Sequence, residues 1–384
     1  MNENVRRIDG HVHFARPIQF ESLESILRQT GADAVCLLAL PGTARLDPTP
    51  DVLCYKLLHP ETTYAFGCLD CTVYERDPLH CGRRFVRRAK QLLAMGCDGV
   101  KLLEGKPTMR RAFPIPDFDS PGWEPFWAYA EQTRLSILWH VNDPEQYWNP
   151  EAISDYAKSS GWGYGEQDVN NEQQYRQVRA VLERHPKLSV TFAHLFFLSA
   201  NLPRLAEWLD RFPSMRVDLT PGIELYENLS KNPEETRAFF IRFADRIQLG
   251  TDIGGRAVLG GSVTALDEAE SLRRVEIINA LLEGNGERLI EADGRYLIRT
   301  KPFVLRGLGL GTELLEKICR NNFLAFAGES PHMVRVPALK RACRRLKRTL
   351  VNRAKSRGEQ PDLSAVEQDL LFLQEYHKQK ALTL

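Results

Sequence analysis

Along the chain, short apolar or β-branched runs alternate with longer stretches in which apolar residues recur at helical spacing. Eight runs read as strands: 6–14 (RRIDGHVHF), 34–40, 63–70, 98–103, 136–141, 189–194, 215–220 and 246–252. Helical stretches fall between them at 20–30, 82–95, 172–184, 201–212 and 234–243, and a last one, 312–328, follows the eighth run after a long interval. Repeated strand–helix units predict parallel strands joined by right-handed crossovers, and eight is the number that closes a (β/α)8 barrel. A doubly wound open sheet is the alternative, but no G-x-G-x-x-G follows the first run. The expected fold is therefore α/β, a (β/α)8 TIM barrel.

Two connections are oversized. The one after the fifth strand, 142–171, carries Trp148, Trp162 and Tyr164; the one after the eighth, 253–311, holds a candidate hairpin at 288–300. In a barrel the loops that follow strands build the substrate mouth. Beyond the barrel, apolar residues Val336, Leu339, Cys343, Leu346 and Leu350, then Leu363, Val366, Leu370 and Leu373, mark two amphipathic helices. The expected division is a barrel domain over 1–330 and a helical extension over 331–384.

Composition changes this picture in one place. The net charge of +1 hides a run, 335–357, with ten Lys or Arg and no acid, which leaves 41 basic against 50 acidic residues elsewhere. A basic segment on an acidic body suits nucleic acid or an anionic surface. The apolar stripe needs cover, however, and no aromatic interleaves the basic run, so packing on the barrel or on a second subunit is preferred to nucleic acid. No apolar stretch is long enough for a membrane span and the first residues lack a signal-peptide layout, so a cytoplasmic protein is expected. The eight cysteines read as buried thiols; Cys68 and Cys71 form a C-x-x-C, but Cys68 lies inside a strand run rather than at a helix start.

The chemistry lies at the strand ends. His11 and His13 share one side of the first strand, because residues i and i+2 do. His140 closes the fifth strand, His194 the sixth and Asp252 the eighth. All are metal-ligand or proton-transfer types, at the barrel end where catalytic residues gather. In order, "DGHVHF", "GVKLLEG", "ILWHVNDP", "FAHLFF", "IQLGTD" and "RNNFLAFAG" resemble the amidohydrolase superfamily, in particular the amidohydrolase-2 group of hydrolases and non-oxidative decarboxylases. The resemblance spans residues 5 to 328. It implies that His11, His13, His140 and Asp252 hold one divalent metal, zinc first, and that His194 polarises substrate or shuttles a proton. In one departure, "LFFLS" follows His194 where some decarboxylases of the group have glycines, which implies a more apolar wall.

In binuclear relatives a strand-four lysine is carboxylated and bridges two metals, but the "GVKL" context of Lys101 resembles members with one metal, so a structural or substrate-charge contact is preferred and a second metal is expected only if Lys101 is carboxylated. Glu104, Arg110 and Arg111 on the following loop read as solvated charges or substrate contacts. Trp148 and Trp162 read as a lid over a planar substrate or as anchors of their loop. Asp218 on the seventh strand reads as a group that reaches the site or orients a neighbour. The expected activity is hydrolysis of a small amide, ester or lactone, with metal-activated water as nucleophile, Asp252 as proton acceptor and His194 stabilising the oxyanion. Decarboxylation of a small unsaturated or aromatic acid is the alternative. From another class comes a silent barrel that acts as a scaffold through its tail. A small-molecule substrate and a homo-oligomer are expected.

Overall fold

The computed structural model describes residues 5–42, 46–222, 224–255, 266–292 and 302–382. All eight predicted runs form strands: β1 (Ile8–His13), β2 (Ala34–Leu38), β3 (Thr63–Cys68), β4 (Gly99–Gly105), β5 (Ile137–Val141), β6 (Val190–Phe192), β7 (Met215–Asp218) and β8 (Ile247–Gln248). Each pairs in parallel with its sequence neighbour. Strands covered on both faces read as continuous apolar runs, and β1, β3, β4 and β5 are buried at every position.

The eighth strand is interrupted. After β8 the chain turns through Asp252, at φ 57°, and resumes as β9 (Ile253–Gly254), which pairs with β1 at Val12↔Ile253 and His13↔Gly254. Gly10 N–H donates to the Leu249 carbonyl at 3.0 Å and Asp252 N–H to the His11 carbonyl at 2.8 Å, so the β8–β9 segment closes the ring onto β1. Glycine is required here: a Cβ on Gly250 would sit 2.8 Å from the His11 Cβ, and one on Gly254 would strike the His13 carbonyl.

The predicted helices form at Phe20–Thr30, Cys81–Met95, Asn171–Arg184, Leu202–Arg211 and Pro233–Arg242, and residues 312–327 are helical with a π-type turn at Lys317–Asn321. Two details differ from expectation. The connection after the eighth strand contains a helix, Glu268–Glu283, whose start is capped by the Asp267 side chain accepting from Glu270 N–H. The hairpin is β10 (Glu287–Ile290) against β11 (Phe303–Arg306), so its return strand lies beyond the expected segment; residues 293–301 fall outside the described ones.

The extension is two helices, Val336–Arg357 and Ser364–Leu382. Leu339, Cys343 and Leu346 of the first and Val366 and Leu373 of the second are buried, against the barrel helices Thr49–Leu58 and Cys81–Met95. A buried ion pair, Arg16 Nε to Asp369 Oδ1 at 2.8 Å, ties the second helix to the loop after β1. All eight cysteines are buried free thiols, Cys68 and Cys71 included.

Candidate active site at the barrel mouth

The strand ends converge as the pattern requires. His11, His13 and Asp252 offer ligand atoms that all lie within 4.8 Å of one another, and all three are buried. His13 Nε2 is 2.8 Å from Asp252 Oδ1, and His11 Nε2 is 3.8 Å from the same oxygen. Strand geometry sets the two histidines side by side, while the left-handed turn at Asp252 swings its carboxylate across the closing seam between β9 and β1.

Groups behind the triad orient it. The His11 Nδ1–H donates to Asp218 Oδ2 at 2.8 Å, with Thr220 Oγ1 at 2.9 Å. A carboxylate on Nδ1 fixes the tautomer and leaves the Nε2 lone pair facing the mouth. Arg274 Nη1, from the helix Glu268–Glu283, donates to Asp252 Oδ2 at 3.1 Å, which leaves Oδ1 turned toward the histidines. Burial holds the His11 imidazole well below its ordinary pKa, helped by the Lys101 cation and by His13. Neutral imidazole is the form that ligates a metal, and two nitrogens plus a carboxylate oxygen is a zinc-type set, so these residues fit a divalent ion.

His194 and His140 lie on the other side. The His194 ring centroid is 5.9 Å from that of His11 and 5.1 Å from that of His140. The His194 Nδ1–H donates to the Thr220 carbonyl at 3.1 Å, so its Nε2 carries the lone pair. Burial and the neighbouring His140 push the His194 pKa down to about 3, and burial lowers His140 to about 4. His140 stands outside the compact triad. Its Nε2 is 3.4 Å from Asp143 Oδ1, a long contact, and Asp143 is itself gripped by Lys106 Nζ at 2.7 Å.

His194 begins a turn unlike anything in the sequence pattern. His194, Leu195, Phe196 and Phe197 have φ of 58°, 48°, 56° and 55°, four successive non-glycine residues in the left-handed region. Such backbone costs energy and clusters at functional sites. Here it presents the partly exposed Phe197 ring to both histidines, at 5.3 Å from His140 and 5.0 Å from His194.

Lys101 on β4 is buried with Nζ 3.4 Å from His11 Nε2, so it faces the triad. Glu104 is not on a loop and is not solvated: it lies within β4, 1% exposed, accepting from Tyr74 O–H and Leu103 N–H, and burial raises its pKa to about 7. Arg110 is engaged by Asp117 at 3.2 Å and Gln177 at 2.8 Å, and Arg111 by Asp168 and the Gly163 carbonyl. These arginines brace the loops around the mouth. Trp148 and Trp162 pack into a small cluster of their own with Tyr147, Ile153 and Tyr164. It joins the site through Tyr164 O–H donating to Asp143 Oδ2 and through Lys106 Nζ, 4.8 Å above the Trp162 ring. Asp143, Thr220 and Arg274 escaped the sequence reading, whereas Phe197 belongs to the apolar "LFFLS" expected to wall the site. Asp143 had a weak signal, lying three residues after His140; Arg274 had none.

Neither a family model nor a curated protein sequence matches the chain. Solved structures do match in fold. An uncharacterized TIM-barrel protein from Bordetella bronchiseptica aligns at TM-score 0.53 and 13% identity, over 85% of this chain and 100% of that one. The fold is a TIM barrel. IDCase from Metarhizium anisopliae aligns at TM-score 0.52 and 14% identity, over 85% and 98% of the two chains. A protein described as amidohydrolase II aligns at TM-score 0.51 and 14% identity, over 84% and 100%. At such identities the likeness speaks for the fold. Among the described residues no helix is long and apolar enough to cross a membrane.

Proposed function

We propose that this chain is a metal-dependent enzyme of the amidohydrolase superfamily that hydrolyses a small amide, ester or lactone. The observation that carries the reading is the buried His11–His13–Asp252 triad at the C-terminal mouth of the barrel, with His11 and Asp252 fixed from behind. His11, His13 and Asp252 would hold the ion, with His140 as a fourth ligand once its ring turns from Asp143. A divalent ion there supplies Lewis acidity, polarising a substrate oxygen and acidifying water.

The chain's own groups do the rest. Asp252 keeps Oδ2 on Arg274, so Oδ1 is the atom that accepts a proton from water and returns it to the leaving group. His194 rests neutral with its proton on Nδ1, so Nε2 takes a proton before it gives one. That assigns it to proton transfer, while the Lys101 ammonium is the cation placed to face developing negative charge. Zinc is the preferred ion, and the substrate is a small molecule that enters between the loops following β1, β5 and β6.

A second reading, non-oxidative decarboxylation of a planar unsaturated or aromatic acid, is favoured by Phe197. An apolar ring packed on two site histidines offers a face for a flat substrate, with Lys101 placed to meet a carboxylate. There His194 would carry the proton delivered to carbon as CO2 leaves.

Elemental analysis of the purified chain tests the common ground, and assays for ester, lactone and amide hydrolysis against CO2 release from aromatic acids separate the two reactions. One equivalent of metal, lost in Asp252→Ala, is expected. Two equivalents would make Lys101 a carboxylated bridge. No metal after reconstitution would sink the site and leave the silent barrel.

A further inference from the structure

The charge of the extension is not answered by the surface on which it docks. Helix Val336–Arg357 has nine Lys or Arg and no acid, and the barrel helix Cys81–Met95 beside it has five and no acid. Two acid-free basic helices repel, so the apolar stripe, not charge, holds them together. Carboxylates from elsewhere relieve part of this. Glu75 takes Arg353 and Arg357, Glu367 takes Lys347 at 2.7 Å, and Asp47 takes Arg88 at 2.7 Å.

Between the helices lies a cleft of about 400 Å³ where relief is incomplete. Arg84 and Arg87 line it from the barrel side and Arg345 from the extension. All three are solvent-exposed and make no ion pair among the described residues. Beneath them Arg88 is fixed, its Nε donating to the Cys68 carbonyl at 3.0 Å and its Nη2 to Asp47. Arg76 completes the wall. Every cation lining the cleft is an arginine, although Lys340, Lys347 and Lys355 stand on the same helix. A planar guanidinium fork matches a phosphate oxygen pair better than an ammonium does.

We propose that this cleft binds a small phosphate-bearing anion of two or more charges, gripped by Arg84 and Arg87 of the barrel and Arg345 of the extension. Its volume suits a compact ligand. Of the carboxylates in the lining, Asp47 is held by Arg88 and Asp70 lies 3.8 Å from Arg76, and no aromatic side chain lines the cleft for the bases of a single-stranded nucleic acid to stack upon. The ligand would bridge two like-charged helices and clamp the extension to the barrel. Asp47 and Asp70 follow β2 and β3, so the clamp sits at the same end of the barrel as the catalytic triad, with no residue in common.

The test uses the full chain and potassium pyrophosphate at constant ionic strength, by calorimetry and thermal melting. Saturable binding of one pyrophosphate per chain is expected, with a Tm that climbs with ligand concentration. Arg87→Ala and Arg345→Ala are each expected to weaken binding about tenfold, the scale of one lost charge-assisted hydrogen bond. Arg344→Ala, which removes the same charge from the same helix outside the cleft, is expected to leave binding unchanged. Pyrophosphate is also expected to slow proteolysis at 358–363, between the two extension helices. Absence of saturable binding, or equal affinity in Arg345→Ala and wild type, overturns the proposal. A single-stranded RNA that binds more tightly than pyrophosphate, undiminished by Arg345→Ala, overturns it too. Because a chelated anion at the triad would not respond to Arg345→Ala, the outcome is independent of the catalytic reading.

Discussion

The two sides of the barrel mouth are built differently. On one side His11 and His13 stand on the β1 ladder and Asp252 on the left-handed turn that joins β8 to β9, with His11 braced by Asp218 and Thr220 and Asp252 by Arg274, so the ligand atoms already converge. On the other, His140 on β5 faces Asp143 and Lys106, and His194 opens a run of four left-handed residues. A side chain bonded at its far atom to a charged partner holds its near atom in place, whereas His140 has a long 3.4 Å contact at Nε2 and His194 a backbone carbonyl at Nδ1. The first side thus presents converged ligand atoms; the role proposed for the second is to move protons and meet substrate.

The largest effect expected from breaking this contrast is at the triad. Asp252→Ala should abolish tight metal binding, measured by elemental analysis after dialysis, whereas His140→Ala should retain metal with affinity reduced about 10–100-fold. Equal loss in both would show that His140 belongs to the ligand set as firmly as Asp252, and the contrast would fall. Next is Asp218→Asn, which keeps the shape but weakens the hold on the His11 tautomer; a loss of about 10–100-fold in metal affinity is expected, with thermal melting little altered. If metal titration finds wild-type affinity, the bracing argument is wrong.

The second side should reveal itself through pH. His140 and His194 have folded pKa values of about 4 and about 3, below the ordinary 6.5. Between those values the unfolded chain binds more protons, so stability rises with pH there. In the apo protein the contribution of these two histidines should be complete above pH 6.5 and be lost as pH falls toward 4. Urea unfolding across this window should give a flatter profile in His194→Asn; an unchanged profile would mean that another group carries the acid transition.

Glu104 should show the opposite sign. Its folded pKa of about 7 lies above the ordinary 4.5, so its contribution is fully present below 4.5 and lost as pH rises through 7. Glu104→Gln should therefore raise stability at pH 8, by about 1–3 kcal/mol at most, and have no benefit at pH 4. A lower Tm at pH 8 would indicate that the carboxylate has a partner the fold depends upon. The smallest change expected is in folding of Phe197→Ala: the ring is partly exposed, so melting should move little while affinity for planar substrates or inhibitors falls.

Much of this was legible from the amino-acid order. Strand positions follow from buried runs bounded by turns, and the i, i+2 rule alone placed His11 and His13 together. The alternation of strands and helices led to the barrel, and ordered strand ends pointed to His140, His194 and Asp252. The helix Glu268–Glu283 was readable too, in its Asp267…Glu270 cap, but was lost within a long connection.

Tertiary structure decided the rest, because it depends on groups distant in sequence. Arg274 meets Asp252 only when the chain doubles back, and Asp218 reaches His11 only across the closed barrel. Glu104 reads as a loop charge because the apolar run stops at Leu103, yet β4 continues to Gly105 and buries it beside the Tyr74 hydroxyl. The basic run looked as if it should seek an acidic surface. It settled beside another basic helix because apolar burial outweighs repulsion between solvent-screened charges, and that choice created the arginine cleft. Sequence sets which residues a strand or helix presents; only closure of the ring sets what each one meets.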